Sequence, residues 1–315
     1  MILVAGSSNL DFVVQAHHIP APGETVLGRD FKTFPGGKGA NQAVACARAG
    51  GVATSFLTAM GNDTFADPIE TSLREASVFT HLVRSADQPT GTAFICVSDE
   101  AENAITVAPG ANLALQAEHL PSLQGIGHLL MQLEIPLATV AAYANAARQQ
   151  GVCVVLNAAP VQELPAALLE SIDVLVVNEG ELATLSRHNG TIAECLERIA
   201  VATVVVTLGH RGSCARLNGT FLVQPAYPIT PIDTTAAGDT FCGSLVAALS
   251  LGLTMRQALQ SAGAAGALAC TRLGAQSSIP KMAEVADFLA RQPAASADAL
   301  DTLGAYCGLP AGTYS

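Results

Sequence analysis

Short apolar runs rich in β-branched residues, separated by longer segments with helical spacing, set the frame for this chain. The runs are ILVAG, VATSFLTAM, HLLMQL, VCVVLNAAP, DVLVVNEGE and TVVVTLG. None alternates polar with apolar residues, as a strand with one wet face would. Continuous apolar runs fit strands covered on both faces. Between them, GANQAVACARAG, PLATVAAYANAARQQG and IAECLERIA carry the spacing of helices. Strand and helix in alternation predict an α/β fold with a mostly parallel sheet flanked by helices. Half of the residues are apolar but only 4% are aromatic. The core is therefore built from Ala, Val and Leu, which suits helices packed closely on a sheet.

Two segments break the rhythm. Residues 12–35 hold no helical pattern, and residues 90–108 read as a hairpin with a polar turn at SDEAEN. Together they predict a small β-sheet that projects from the main body. The PAPGE turn and Pro35-Gly36-Gly37 fit its hinges. The expected division is a core of 1–11, 36–89 and 109–292, a β lid of 12–35 and 90–108, and a tail of 293–315 with no assignable role.

Charge and cysteine usage narrow the partners. The 315 residues carry a formal net charge of −11. That argues against nucleic acid or an anionic membrane as the main partner, and it requires local donors for any anionic substrate. The eight cysteines form no closely spaced pair for zinc and sit mostly inside apolar runs. They read as reduced core thiols of a cytoplasmic protein. The first residues lack the charged flank of a signal peptide, and no apolar run approaches the length that spans a bilayer.

Five stretches hold chemistry-bearing residues. FPGGKGANQA is not a phosphate loop: Gly39 follows Lys38, and position 33 is Thr. It is either a tight strand-to-helix turn or a place where backbone, Lys38 and Asn41 approach a ligand. GSSNLDF places Asn9 and Asp11 just after the first strand, where open parallel sheets bind ligands, although Asn and Asp are ordinary turn residues. It is also not the GxGxxG of a nicotinamide dehydrogenase. NEGE offers Glu181 to a hard cation, or a capping box in which Asn178 caps and Glu181 stands at the third position. TLGHRG is a glycine-rich turn suited to a nucleotide, and the seven histidines show no metal spacing. In DTTAAGDTFCG, small residues before a helix let N–H groups converge on an anion. Asp239 beside such a pocket is either a helix cap or a general base that takes a proton as the anion arrives.

The chain resembles the PfkB carbohydrate kinases, within the ribokinase-like superfamily, from about residue 2 to about residue 290. The likeness rests on GSSNLDF, PGETVLG, GGKGANQAVA, TGTAFICV, PGANLAL, LLMQLEIPL, LNAAP, NEGE, TLGHRG, DTTAAGDTFCG and TRLGAQSSIP, in family order. The resemblance implies a Rossmann-like sheet with a β-sheet lid that covers a sugar and forms a homodimer contact. It implies an ATP-dependent kinase for the primary hydroxyl of ribose, with 2-deoxyribose, another furanose or a nucleoside as rival acceptors. A non-catalytic sugar or nucleotide sensor on the same fold would not need Asp239.

The same resemblance implies roles. Asp239 corresponds to the base, and Ala236, Ala237 and Gly238 to the anion hole. Asn9, Asp11, Gly37, Lys38, Asn41 and Glu134 correspond to sugar contacts. Asn178, Thr207, Leu208, Gly209, His210, Arg211, Gly212 and Gly238 correspond to ATP contacts, and Glu181 to the acid that organises Mg²⁺. Asp233, Thr235, Ala269, Arg272, Gly274 and Ser278 correspond to a K⁺ site made mostly of carbonyls. The chain departs from the family in carrying Ala66 where Gly is usual, in a short segment after NEGE, and in the tail beyond about residue 292.

Overall fold

A computed structural model describes residues 1–100 and 102–314. Its strands are β1 (Ile2–Ala5), β2 (Asn9–Gln15), β3 (Arg29–Gly36), β4 (Thr54–Gly61), β5 (Phe79–Ser85), β6 (Gly91–Val97), β7 (Asn103–Ala108), β8 (His128–Met131), β9 (Cys153–Asn157), β10 (Val174–Asn178), β11 (Thr203–Thr207), β12 (Gly212–Leu217) and β13 (Thr220–Pro225). Its α-helices are α1 (Lys38–Arg48), α2 (Ala66–Glu75), α3 (Leu137–Gln149), α4 (Ala166–Leu169), α5 (Glu179–Ser186), α6 (Ile192–Glu197), α7 (Ala237–Ser250), α8 (Met255–Ala269), α9 (Met282–Arg291) and α10 (Ala297–Cys307).

Nine strands form the main sheet in the order β13-β12-β11-β10-β9-β8-β1-β4-β5. Pairing is parallel except at β12 and β13. Neighbouring residues of one strand enter opposite cores: Leu3 and Ala5 pack with Leu129, Met131 and Leu156, while Ile2 and Val4 pack with Leu130, Val155 and Val176. Both faces are covered by helices, so the sequence shows continuous apolar runs and no alternation. The chain leaves β1 toward β4 and β5 and later returns to β8 on the other side of β1. The carboxyl ends of β1 and β8 therefore flank the point where strand order reverses, the usual crevice for a ligand in such sheets.

A second sheet has the order β3-β2-β6-β7. Its β2 begins at Asn9, three residues ahead of the segment expected to form it, so Asn9 and Asp11 stand on this sheet and pair with Gly91 and Ala93. Strands β6 and β7 are antiparallel across the SDEAEN turn, of which Ala101 lies outside the described residues. Phe12 stacks on Phe94 at 5.3 Å and meets Phe65 edge-on at 5.4 Å, which ties one face of the sheet to the start of α2. Ala66 is the buried first residue of α2.

From NEGE to β11 the chain forms two short helices, α5, which begins within NEGE, and α6. The tail is docked: α10 buries Leu303 and Cys307 against the core, Leu309 follows, and Tyr314 bridges to Phe221 of β13. No helix among the described residues is long and apolar enough to cross a membrane.

Candidate active site

The crevice is closed by the GGKG turn. Gly37 is the N-cap of α1 with φ 89°, a left-handed value that favours glycine. A Cβ there would lie 2.7 Å from Ser8 Cα, and one on Gly39 would lie 2.6 Å from Ser7 N. Glycine thus lets the start of α1 press onto the GSSN segment. Ser7 Oγ donates to Glu134 Oε2 at 2.5 Å, a bond that spans from the residues after β1 to the residues after β8. Glu134 Oε2 also accepts from Lys38 N at 3.2 Å, and Lys38 Nζ stands 3.7 Å from Oε1. On the small sheet, Asn112 Nδ2 donates to Asn9 Oδ1 at 2.8 Å, which fixes the Asn9 amide.

Helix α7 runs against α1 at close range, because Gly243 faces Ala45 with no room for a Cβ. The contact brings two consecutive amides of α1 to Asp239. Asn41 Nδ2 donates to Oδ2 at 2.9 Å, and Gln42 Nε2 donates to Oδ1 at 2.9 Å. The N-cap of α7 is Ala236, left-handed at φ 57° and without a side-chain cap bond. Asp239 stands one turn further in, its carboxylate turned to α1, so it is not the cap. The first amides of a helix lack intrahelical partners, although here Ala237 N donates to Thr234 O at 3.2 Å in the turn before α7. A methyl built on Gly238 would meet no atom within 4 Å, so the space over this turn is open.

Two acceptors point to a hydroxyl-rich ligand. Asp11 is 8% exposed, and no protein hydrogen bond contributes to its titration. Burial, then the charges of Glu134 and Asp239, push its carboxyl up to about 7. Asn41 Oδ1 is buried without a partner among the described residues. Asp239 is raised by burial, against the pull of the Lys38 charge and the two amides. Burial alone lowers Lys38, but Asp239, Glu134 and Glu181 more than reverse that, so its ammonium stays charged.

The residues expected for a nucleotide meet by register, since Asn178 at the end of β10 pairs with Thr207 at the end of β11. The turn after β11 is closed by Leu208 N to Gly212 O at 2.8 Å. Gly212 has φ 121°, and a Cβ there would lie 2.1 Å from Gln224 O. Gly209, His210 and Arg211 form a single 3₁₀ turn. Asn178 and Glu181 make the capping box, with Glu181 N to Asn178 Oδ1 at 2.8 Å and Asn178 N to Glu181 Oε2 at 2.7 Å. Burial raises Glu181, partly offset by that N–H and by Lys38. Capping does not exhaust a carboxylate, and Mg²⁺ needs only one or two carboxylates beside phosphate oxygens and water. The donor set therefore fits that ion.

Asp233 joins the two loops expected around a monovalent ion. Its Oδ1 accepts from Thr235 N at 2.9 Å and Thr235 Oγ1 at 2.6 Å, and its Oδ2 accepts from Gly274 N at 2.8 Å. Arg272 pairs with Glu284, Ser278 Oγ donates to Ala275 O, and the Ala269 carbonyl accepts from Arg272 N. Arg272 and Ser278 thus spend their side chains elsewhere, and Asp233 is the carboxylate that the two loops share.

Residue patterns did not reveal Gln42, Gln132, Ser7 or Asn112 as parts of the site. Gln132 Nε2 donates to Gln42 Oε1 at 2.6 Å, which aims Gln42 at Asp239. Gln42 follows Asn41 directly, and that adjacency was the one available signal.

The pfkB family carbohydrate kinases match residues 1–282. A ribokinase from Haemophilus influenzae is 36% identical over 300 residues, spanning 91% of this chain and 98% of that protein. The crystal structure of a ribokinase from Thermotoga maritima superposes with a TM-score of 0.84 at 36% identity, over 92% of this chain and 99% of the other. The structure of the Arabidopsis thaliana ribokinase complexed with ribose and ATP gives 0.85 at 30% identity, over 92% and 99%.

Proposed function

The chain belongs to the pfkB family of carbohydrate kinases, and on that premise we propose that it transfers the γ-phosphoryl group of ATP to the primary hydroxyl of D-ribose. The products are ribose 5-phosphate and ADP. The observation that carries this reading is Asp239, held by two amides on the first turn of α7. As the sugar oxygen bonds to phosphorus, its proton passes to Asp239 and the bond to the bridging oxygen of ADP breaks. Backbone N–H groups of Ala236, Ala237 and Gly238 hold the negative charge that builds on the transferring group. Asp11, Asn9, Lys38, Asn41, Glu134 and the Gly37 turn orient the sugar. The buried acceptors of Asp11 and Asn41 fit a ligand that offers hydroxyl donors.

ATP lies along Asn178 and the turn from Thr207 to Gly212 in this reading. Glu181, with the phosphates, would hold Mg²⁺, which would supply charge neutralisation when bound. Asp233 and the Gly274 loop would hold K⁺, which would order the turn that carries Ala236 to Gly238. Equal rates in K⁺ and in a bulky organic cation at matched ionic strength would remove the K⁺ assignment.

The reading extends to assembly and location. The face of the small sheet that bears Asp11 continues through Val13, Ile95, Ile105 and Val107, by the strand register. A second copy covers that face in a homodimer. Eight unpaired cysteines suit the reducing cytoplasm.

A coupled ADP-release assay over a panel of pentoses and nucleosides tests the function. Ribose is expected to be the best acceptor, and Asp239→Asn to lose on the order of a hundredfold or more in turnover while remaining folded. A preference for nucleosides, or near wild-type turnover by Asp239→Asn, overturns the reading.

A further inference from the structure

The tail helix α10 lies beyond the family match, which ends at residue 282, yet it reaches the two segments assigned above to the nucleotide. The contact is made by one residue. The Arg211 guanidinium stands over the Tyr306 ring, 4.4 Å from its centroid. The Tyr306 hydroxyl donates to Glu179 Oε2 at 2.7 Å. Arg211 belongs to the turn after β11, and Glu179 follows Asn178 at the start of α5. A single tail side chain therefore links both halves of the expected nucleotide site.

The link is firmly based. Leu303 and Cys307 are buried on either side of Tyr306, and α10 packs on β13 and α6. The end of the chain folds back, with Tyr314 Oη donating to Asp301 Oδ1 at 2.6 Å. Tyr306 itself is 42% exposed, so its ring is a surface feature and not a core filler. Arg211 is exposed, and an exposed arginine on a turn would otherwise sample many rotamers. A cation held over an aromatic face loses that freedom before a ligand arrives, and preorganisation of this kind favours binding. The chain is strongly acidic overall, so a polyanionic ligand depends on such local cations.

We infer that Tyr306 is a positioning residue for the nucleoside triphosphate, holding Arg211 and Glu179 in place so that the tail completes the nucleotide side of the site. This rests on the assignment of the turn from Thr207 to Gly212 to ATP.

The test is ATP binding by calorimetry together with steady-state kinetics, on the full chain and on Tyr306→Ala, Tyr306→Phe, Arg211→Ala and the Tyr306→Ala/Arg211→Ala double variant. Tyr306→Ala should raise the Kd and KM for ATP about three- to tenfold, with kcat and the KM for ribose within about twofold. Tyr306→Phe keeps the aromatic face and should retain most of the affinity. Arg211→Ala, a surface change, should reproduce the loss without disturbing the tail, and the double variant should be no weaker than the poorer single one. Unchanged ATP affinity in Tyr306→Ala, equal losses in ATP and ribose parameters, or losses that multiply in the double variant overturn the inference alone. A wild-type chain that binds no ATP overturns the functional reading and this inference with it.

Discussion

Gln42 Nε2 stands 2.9 Å from Asp239 Oδ1, and the same amide is held from behind, where Gln132 Nε2 donates to Gln42 Oε1 at 2.6 Å. Gln42 Nε2 is shared with Asn157 Oδ1 at 3.0 Å, and Asn157 Nδ2 donates onward to Val176 O at 3.2 Å. Side chains following β8 and at the end of β9 thus fix the amide that fixes the carboxylate on α7. Gln42 and Gln132 are wholly buried, so neither amide can turn to solvent instead.

That relationship predicts a positioning effect. In Gln42→Ala, Asp239 keeps only Asn41, and its Oδ1 can turn from the acceptor. A hydrogen bond to a charged group contributes about 1.5–3 kcal/mol. We expect kcat to fall about tenfold while the KM for ribose stays within about twofold. Kinetics in which KM rises and kcat holds would show that Gln42 serves binding instead.

The Asp11 carboxyl predicts a pH dependence. Its folded value of about 7 lies above the unfolded value of about 4. The native chain therefore binds more protons than the unfolded chain between those limits. Stability falls as pH rises through that window, and the penalty is complete above about pH 7. Asp11→Asn should raise the melting temperature at pH 8, with a gain that shrinks toward pH 4. In the wild type, kcat/KM for ribose should fall on the acid side of about 7, in a limb shared with Asp239 because the two carboxylates interact. A flat profile between pH 5 and 8 contradicts this.

Acceptor choice follows from the unpaired oxygens. Asn41 Oδ1 is a buried acceptor without a partner among the described residues, and Asp11 is a buried carboxylate to which no protein hydrogen bond contributes. Leaving a buried polar group unpaired costs roughly 1–3 kcal/mol. The expected outcome is a kcat/KM for ribose at least about tenfold above that for 2-deoxyribose, or ~1.4 kcal/mol. Asp11→Ala should narrow the gap by losing ribose more than deoxyribose. Equal efficiency of the wild type on both sugars would show that Asp11 does not read the secondary hydroxyls.

The small sheet predicts assembly. Ile105 is 55% exposed and Val107 41%, and by register they lie on the Asp11 face of the sheet, opposite the Phe12 and Phe94 rings that meet Phe65. Apolar surface gathered in this way marks an interface. Light scattering at micromolar concentration should return twice the chain mass of 32.1 kDa. Ile105→Lys with Val107→Lys should shift the chain to monomer. A wild-type monomer at that concentration removes the homodimer.

The order of strands and helices was legible because each element is coded locally. The β-branched runs became strands of the main sheet, and the two segments without helical spacing became the second sheet. Asp239, Lys38 and Asn41 could be singled out because glycines and small residues beside them mark where backbone comes close to something. What a linear pattern cannot carry is which side chains meet across the crossovers. Whether Asp239 caps its own helix was decided by Ala45 and Gly243, whose small size lets α1 and α7 approach until Gln42 reaches it. Gln42 lies 197 residues from Asp239 in the chain, and Tyr306 lies 127 from Glu179. Spacing within a segment determines the face that a residue occupies. Only the packing of one element on another determines what that face touches, because hydrogen bonds and ring contacts act over a few ångströms and take no account of distance along the chain.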